Sequence, residues 1–198
     1  IGGDSDSKDF IRGYGYQGGA WRNSMSEVVA ELKYGPELKE AILKPGGWKI
    51  GVTAFGETLP NHNNKMYLDY DKLDEWGLPT VTFDADFGEN ELAMRKDMKD
   101  QAVKMFKAAG YKNVVGYDSI DSRAMGLGIH EMGTARMGHD PKTSVLNKYN
   151  QIHSCKNVFV TDGSFMTSSA CQNPSLTYMA FTARAANYAA KEFKNGNL

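Results

Sequence analysis

Hydrophobic and polar positions alternate through Trp48-Lys49-Ile50-Gly51-Val52-Thr53-Ala54, the period-two pattern of a strand that buries one face. Met66-Tyr67-Leu68-Asp69-Tyr70 and Thr80-Val81-Thr82-Phe83 repeat the pattern. Between the first two lies Pro60-Asn61-His62-Asn63-Asn64, a cluster of turn formers. The connections are too short for helical crossovers, so the first 85 residues are predicted to form a meandering antiparallel sheet. Short helices near Met25–Leu32 and Glu37–Leu43 are expected to cover one side of it. From Asn90 to Ala109 the period changes to three and four. Met94, Met98, Ala102, Met105 and Ala109 make the apolar stripe of a helix, and Gly110 suits its end. A loop-rich stretch runs from Tyr117 to Lys148. Asn157-Val158-Phe159-Val160-Thr161 then reads as a short strand closed by Asp162-Gly163. The last helix is predicted over 174–193, with Asn173 as its cap and Pro174 in its first turn. Its expected buried stripe is Leu176, Met179, Ala180, Ala183, Ala186 and Ala190. The predicted fold class is α+β, an antiparallel sheet with flanking helices.

Composition narrows the setting. The chain has 198 residues, 41% hydrophobic, 11% aromatic and 24% charged, which is globular rather than disordered. Lys and Arg number 23 and Asp and Glu 24, a formal charge of −1 with no basic block. That excludes a nucleic-acid partner held by phosphate neutralisation. No apolar run approaches the ~20 residues of a membrane-spanning helix. The polar start at Ile1 lacks an initiator Met and a signal-peptide pattern, and reads as lying within a longer protein. The compartment stays open between a bacterial-like cytoplasm and periplasm. Two cysteines, Cys155 and Cys171, allow at most one bridge and exclude a disulfide framework or a four-thiolate zinc site.

Several chemical motifs fail on context. Gly13-Tyr14-Gly15-Tyr16-Gln17-Gly18 matches G-x-G-x-x-G, but Lys8, Asp9 and Arg12 interrupt the strand that should precede it, and bulky Trp21 and Arg22 follow. It reads as a glycine-rich aromatic strand or loop. His130, Glu131, His139, Asp140 and His153 show no metal-ligand spacing, so no metal is expected. No G-x-S-x-G elbow is present, and nothing near Cys155 or Cys171 supplies a base. The informative stretch is His130-Glu131-Met132-Gly133-Thr134-Ala135-Arg136-Met137-Gly138, a loop whose backbone must approach something closely. Read alone, it better suits a glycine-rich turn around a buried, satisfied histidine. Arg136 suits a structural salt bridge as well as an active-site task. The Asn173-Pro174-Ser175-Leu176-Thr177 segment opens a helix whose free N–H groups and dipole favour negative charge.

Taken in order, these segments resemble the C-terminal part of the glucose–methanol–choline (GMC) family of flavin-dependent alcohol oxidoreductases. His130 through Gly138 matches its His-x-x-Gly-Thr-x-Arg-Met-Gly stretch, followed by Asp140-Pro141 and Ser144-Val145. The Asn-Val-Phe-Val-x-Asp-Gly-Ser run spans Asn157 to Ser164, and Asn173-Pro174-x-x-Thr177 opens a helix carrying Ala183-Arg184-Ala185-Ala186. Asp69 and Trp76-Gly77-Leu78-Pro79 resemble the family's substrate-domain sheet, and Asn90-Glu91 its following helix. The His-Glu-Met-Gly form and Asn150-Gln151 look most like bacterial sugar and glycoside dehydrogenases.

The resemblance implies an enzyme that oxidises a CH–OH group of an alcohol or sugar by hydride transfer to FAD. It implies His130 as base and Asn173 as its partner on the substrate oxygen. It places Asp162, Gly163, Pro174 and Thr177 against the flavin. It also implies a division into a substrate-binding region, 1–125, and a catalytic and flavin-contact segment, 126–198. The family's N-terminal Rossmann FAD unit is absent from this sequence. The chain alone is therefore expected neither to hold FAD nor to be active, and to leave apolar surface on its last helix open to self-association. Whether the enzyme is an oxidase or a dehydrogenase is not legible. The alternative is a non-catalytic carbohydrate-binding module built on Tyr14, Tyr16, Trp21 and Tyr67. A metal hydrolase using His130, His139 and His153 is a third reading.

Overall fold

The computed structural model describes residues 9–22, 34–43 and 46–198. The chain runs β1 (Tyr14–Arg22), α1 (Pro36–Leu43), β2 (Trp48–Gly56), β3 (Lys65–Leu73), β4 (Pro79–Asp84), α2 (Glu89–Ala108), β5 (Gln151–Ile152), β6 (Cys155–Phe159) and α3 (Ser175–Lys194). Short 3-10 turns stand at Asp121–Arg123 and Gly163–Phe165. The α+β class is as expected. The helix expected near Met25–Leu32 lies outside the described residues.

The sheet differs from the predicted meander. Among the described residues strands pair in three separate two-stranded ladders, β1 with β2, β3 with β4 and β5 with β6. The chain after β2 is drawn to α2 instead of turning straight back as a hairpin. The Leu59 N–H donates to Glu91 Oε1 at 2.9 Å, and Asn64 exchanges hydrogen bonds with the Asp86 backbone at 3.1 Å. The β3–β4 hairpin is antiparallel and pairs Met66 with Phe83 and Leu68 with Val81. Its turn is folded by Asp74, whose Oδ1 accepts from Trp76 N–H and Leu78 N–H, with Gly77 at φ +79°. Only glycine enters that conformation without a steric penalty.

Residues Gly15–Phe55 cluster into one compact unit and the rest of the described chain into another. In the first, the β1 and β2 backbones meet closely. A Cβ on Gly18 would fall 2.0 Å from the Gly51 carbonyl oxygen, and the Trp21 ring lies over Gly51. In the second, one buried focus is α2. Met94 and Met98 pack where a Cβ on Gly56 would come within 2.5 Å of the Met94 sulfur. Tyr14 Oη donates to Asp97 at 2.6 Å, and the Ile11 N–H donates to the Asn90 side chain at 2.8 Å. Met105 and Ala109, expected in the stripe, are exposed, because Val103 and Phe106 turn inward instead.

The last helix reverses the sequence expectation. Leu176 and Met179 are 78% and 67% exposed, and Ala180, Ala183, Ala186 and Ala190 also face outward. The inward face is Tyr178, Phe181, Ala185 and Tyr188, spaced by three and four. Aromatic rings remove more apolar surface from water than the alanines would, so their face packs. Asn173 does not cap the helix. The N-cap is Pro174, with no side-chain cap hydrogen bond, and Asn173 is exposed one residue earlier.

Candidate functional site

The loop from His130 to Gly138 is fixed by the turn that follows β6. The Ala135 N–H donates to the Ser164 carbonyl at 3.0 Å and the Met137 N–H to that of Phe165 at 2.9 Å. The Arg136 carbonyl accepts from Val145 and Leu146, and the Gly138 N–H returns to the Leu146 carbonyl at 2.8 Å. A Cβ on Gly138 would lie 2.6 Å from the Ser144 Cβ, which is the close approach expected of this loop. Among the described residues Arg136 has no salt-bridge partner. Its guanidinium holds the Thr143 carbonyl, because that turn brings a backbone oxygen rather than a carboxylate within reach.

Beneath the loop lies a polar core. Asn150 and Gln151 are buried with Leu146 and Phe165. Asn150 stands at φ +61°, a conformation asparagine tolerates, and its amide donates to the Val160 carbonyl at 3.0 Å. Gln151 donates to the Lys156 carbonyl, and the Asn147 amide donates to Gln151 Oε1 at 2.8 Å. Tyr149 stacks on Tyr188 of α3 with ring centres 3.9 Å apart, and Phe165 stacks on Phe181 at 4.8 Å. These contacts seat α3 against the two motif loops.

Asp162 and Gly163 meet the His130 loop at one place. Asp162 Oδ1 accepts the Ser164 N–H at 2.9 Å and the Ser164 hydroxyl, fastening the turn. A Cβ on Gly163 would fall 2.6 Å from Tyr178 Oη and 3.3 Å from the Glu131 carbonyl oxygen. Burial pushes the Tyr178 phenol above its ordinary value, and the charges of Asp162 and Glu131 push the same way. Glu131 Oε1 in turn accepts from the Gly128 and Ile129 N–H groups. His130 is half-buried beside Glu131, and Thr177 is half-buried in the first turn of α3 behind a buried Pro174. Tyr178 belongs to none of the sequence motifs, and Glu131 enters them only as a candidate metal ligand without the required spacing. A glycine three positions before Glu131 is the only local signal for its turn.

The rival chemistries find less support. Among the described residues no group of three or more His, Cys, Asp or Glu is arranged to hold a metal ion. His153 Nε2 lies 3.1 Å from Ser144 Oγ, whose own proton goes to the Asp140 carbonyl at 2.7 Å, so Nε2 is the donor in that pair. Among the described residues no disulfide joins Cys155 and Cys171. Of the aromatic residues considered for sugar binding, Tyr14 is engaged by Asp97 and Trp21 covers Gly51, while Tyr67 is exposed on the hairpin. Among the described residues no helix is long and apolar enough to cross a membrane.

The family model described as GMC oxidoreductase matches residues 60–182. The chain is 30% identical to 2-methyl-1,2-propanediol dehydrogenase of Mycolicibacterium austroafricanum over 96% of its own length and 35% of that protein. It is 28% identical to gluconate 2-dehydrogenase flavoprotein of Pantoea cypripedii, over 90% of its length and 32% of the relative. It is 29% identical to the fructose dehydrogenase large subunit of Gluconobacter japonicus, over 82% of its length and 29% of the relative. The chain belongs to the GMC oxidoreductase family, whose enzymes are flavoproteins. It spans about a third of the length of these relatives.

Proposed function

We propose that the intact protein oxidises a CH–OH group of an alcohol or sugar, using FAD and His130 as base. The observation that carries this reading is the family match over 60–182, because that span contains His130, Asp162, Gly163, Asn173, Pro174 and Thr177 in the family's order. The relatives named above act, by their names, on a diol, on gluconate and on fructose, all hydroxyl-bearing compounds. FAD supplies the acceptor for the carbinol hydride.

The residues present suit such a cofactor. Gly163 leaves no room for a side chain between the two loops, and its turn is held rigid by Asp162. The first turn of α3 has no side-chain cap, so its backbone N–H groups and positive dipole end are open to an electron-rich ring edge. Asp162, Gly163, Pro174 and Thr177 would line that edge. A neutral imidazole at His130 takes the hydroxyl proton near neutral pH, and the Asn173 amide orients the substrate oxygen. In this reading residues 1–125 face the substrate, 126–198 carry the chemistry, and the remaining flavin contacts come from the N-terminal part of the same protein.

The test is His130→Ala in the flavin-loaded protein. Turnover should fall by about 10² to 10⁴, the usual contribution of a positioned base, while flavin content stays unchanged. Unchanged turnover would remove His130 from the mechanism.

A further inference from the structure

Glu131 has no part in the chemistry above, yet its carboxylate fastens the loop that carries His130. Oε1 accepts from the Gly128 N–H at 2.9 Å and from the Ile129 N–H at 3.2 Å. Two successive backbone N–H groups turned toward one oxygen form an anion-binding nest, filled here by the loop's own side chain. Ile129 stands at φ +67° and is 88% exposed. A β-branched residue in the left-handed region is a strained outlier. Such strain persists where the surroundings over-determine the backbone. An exposed Ile129 side chain has little packing to do that, whereas the Glu131 carboxylate grips the Ile129 amide itself.

The strained residue is the one immediately before His130. Relaxing Ile129 to an ordinary negative φ would turn the following peptide through more than a right angle, and the His130 side chain would leave the loop in another direction. We propose that Glu131 is a positioning residue for His130: its carboxylate holds Ile129 in the left-handed conformation and so aims the imidazole. This rests on the reading of His130 as the base. The role belongs to the acceptor oxygen, not to the charge.

Steady-state kinetics on the flavin-loaded protein test it. Glu131→Ala should lower kcat about a hundredfold with little change in KM and normal flavin content, as expected of a misplaced catalytic group. Glu131→Gln keeps an acceptor oxygen at the same reach and should restore most of kcat. Ile129→Gly lets the backbone adopt φ +67° without steric cost, so I129G combined with E131A should return to within about tenfold of I129G alone, a coupling expected of touching residues. Full kcat in E131A, a Gln variant as slow as the Ala variant, or a double variant as slow as E131A would each overturn the proposal. If E131A fails to hold flavin, the double variant is read against I129G by the same criterion, and an inactive double variant overturns the proposal. His130→Ala run alongside separates the two claims. Full turnover in that variant removes the base itself, whereas its loss beside an unaffected E131A removes only the positioning role.

Discussion

At position 163 a single methyl group decides whether two loops and a helix can meet. A Cβ there would sit 2.6 Å from Tyr178 Oη and 3.2 Å from its Cζ. Gly163→Ala is therefore expected to destabilise the fold by about 1–3 kcal/mol, the usual cost of overpacking. Adding Tyr178→Phe removes the nearer atom and should recover much of the loss. The urea midpoints of the single and double variants, compared at equal slope, read both steps. The turn at Asp162 and Gly163 is legible in the sequence because it closes a contiguous apolar run. Tyr178 was not, since its hydroxyl acquires meaning only when α3 is laid across a turn fifteen residues earlier in the chain. Glu131 escaped for a different reason. Its hydrogen bonds are local, but nothing in the residue order says that Ile129 will adopt a left-handed backbone.

The start of α2 is held by a carboxylate that also anchors the chain after β2. Glu91 accepts from the Gly88 N–H at 2.9 Å, from the Leu59 N–H at 2.9 Å and from the Asn90 amide at 3.2 Å. Burial by itself would raise its pKa, but these hydrogen bonds outweigh burial and leave it below the ordinary 4.5. A carboxyl depressed in the folded state stabilises the fold fully above its unfolded value, and that contribution is lost as pH falls through the folded value. The wild-type midpoint should thus drop on acidification below about pH 4.5 more steeply than that of Glu91→Gln, measured by urea titration across the acid range. Parallel curves would remove Glu91 from the acid response. Strand and helix extents were legible, because periodicity is local. Strand pairing was not, because it depends on where Glu57–Asn64 docks, and it docks on Glu91 and Asp86. The buried face of α3 is not legible because the helix is apolar on two sides. Counting hydrophobic positions does not tell Leu176 and Met179 from Phe181 and Tyr188.

On the scale of the whole molecule, the proposed function makes the motif loops and the end of α3 one side of a flavin site, in a chain about a third the length of its relatives. The purified 198-residue chain, mixed with FAD and passed through gel filtration, should emerge without flavin absorbance. A stoichiometric yellow peak would show that these residues suffice. The segment from Ser144 to α3 has a further consequence, for the order in which the chain becomes ordered during synthesis. Its bonds join residues 4, 9, 10 and 34 apart, as in Asn147 with Gln151, Ser144 with His153, Asn150 with Val160, and Asn150 with Arg184. Ile11 and Tyr14 instead reach partners 79 and 83 residues away. Short loops close at small entropic cost and long ones at greater cost. The segment from Ser144 to α3 can thus close these bonds within its own length, while Ile11 and Tyr14 wait for Asn90 and Asp97 to be translated before theirs can form.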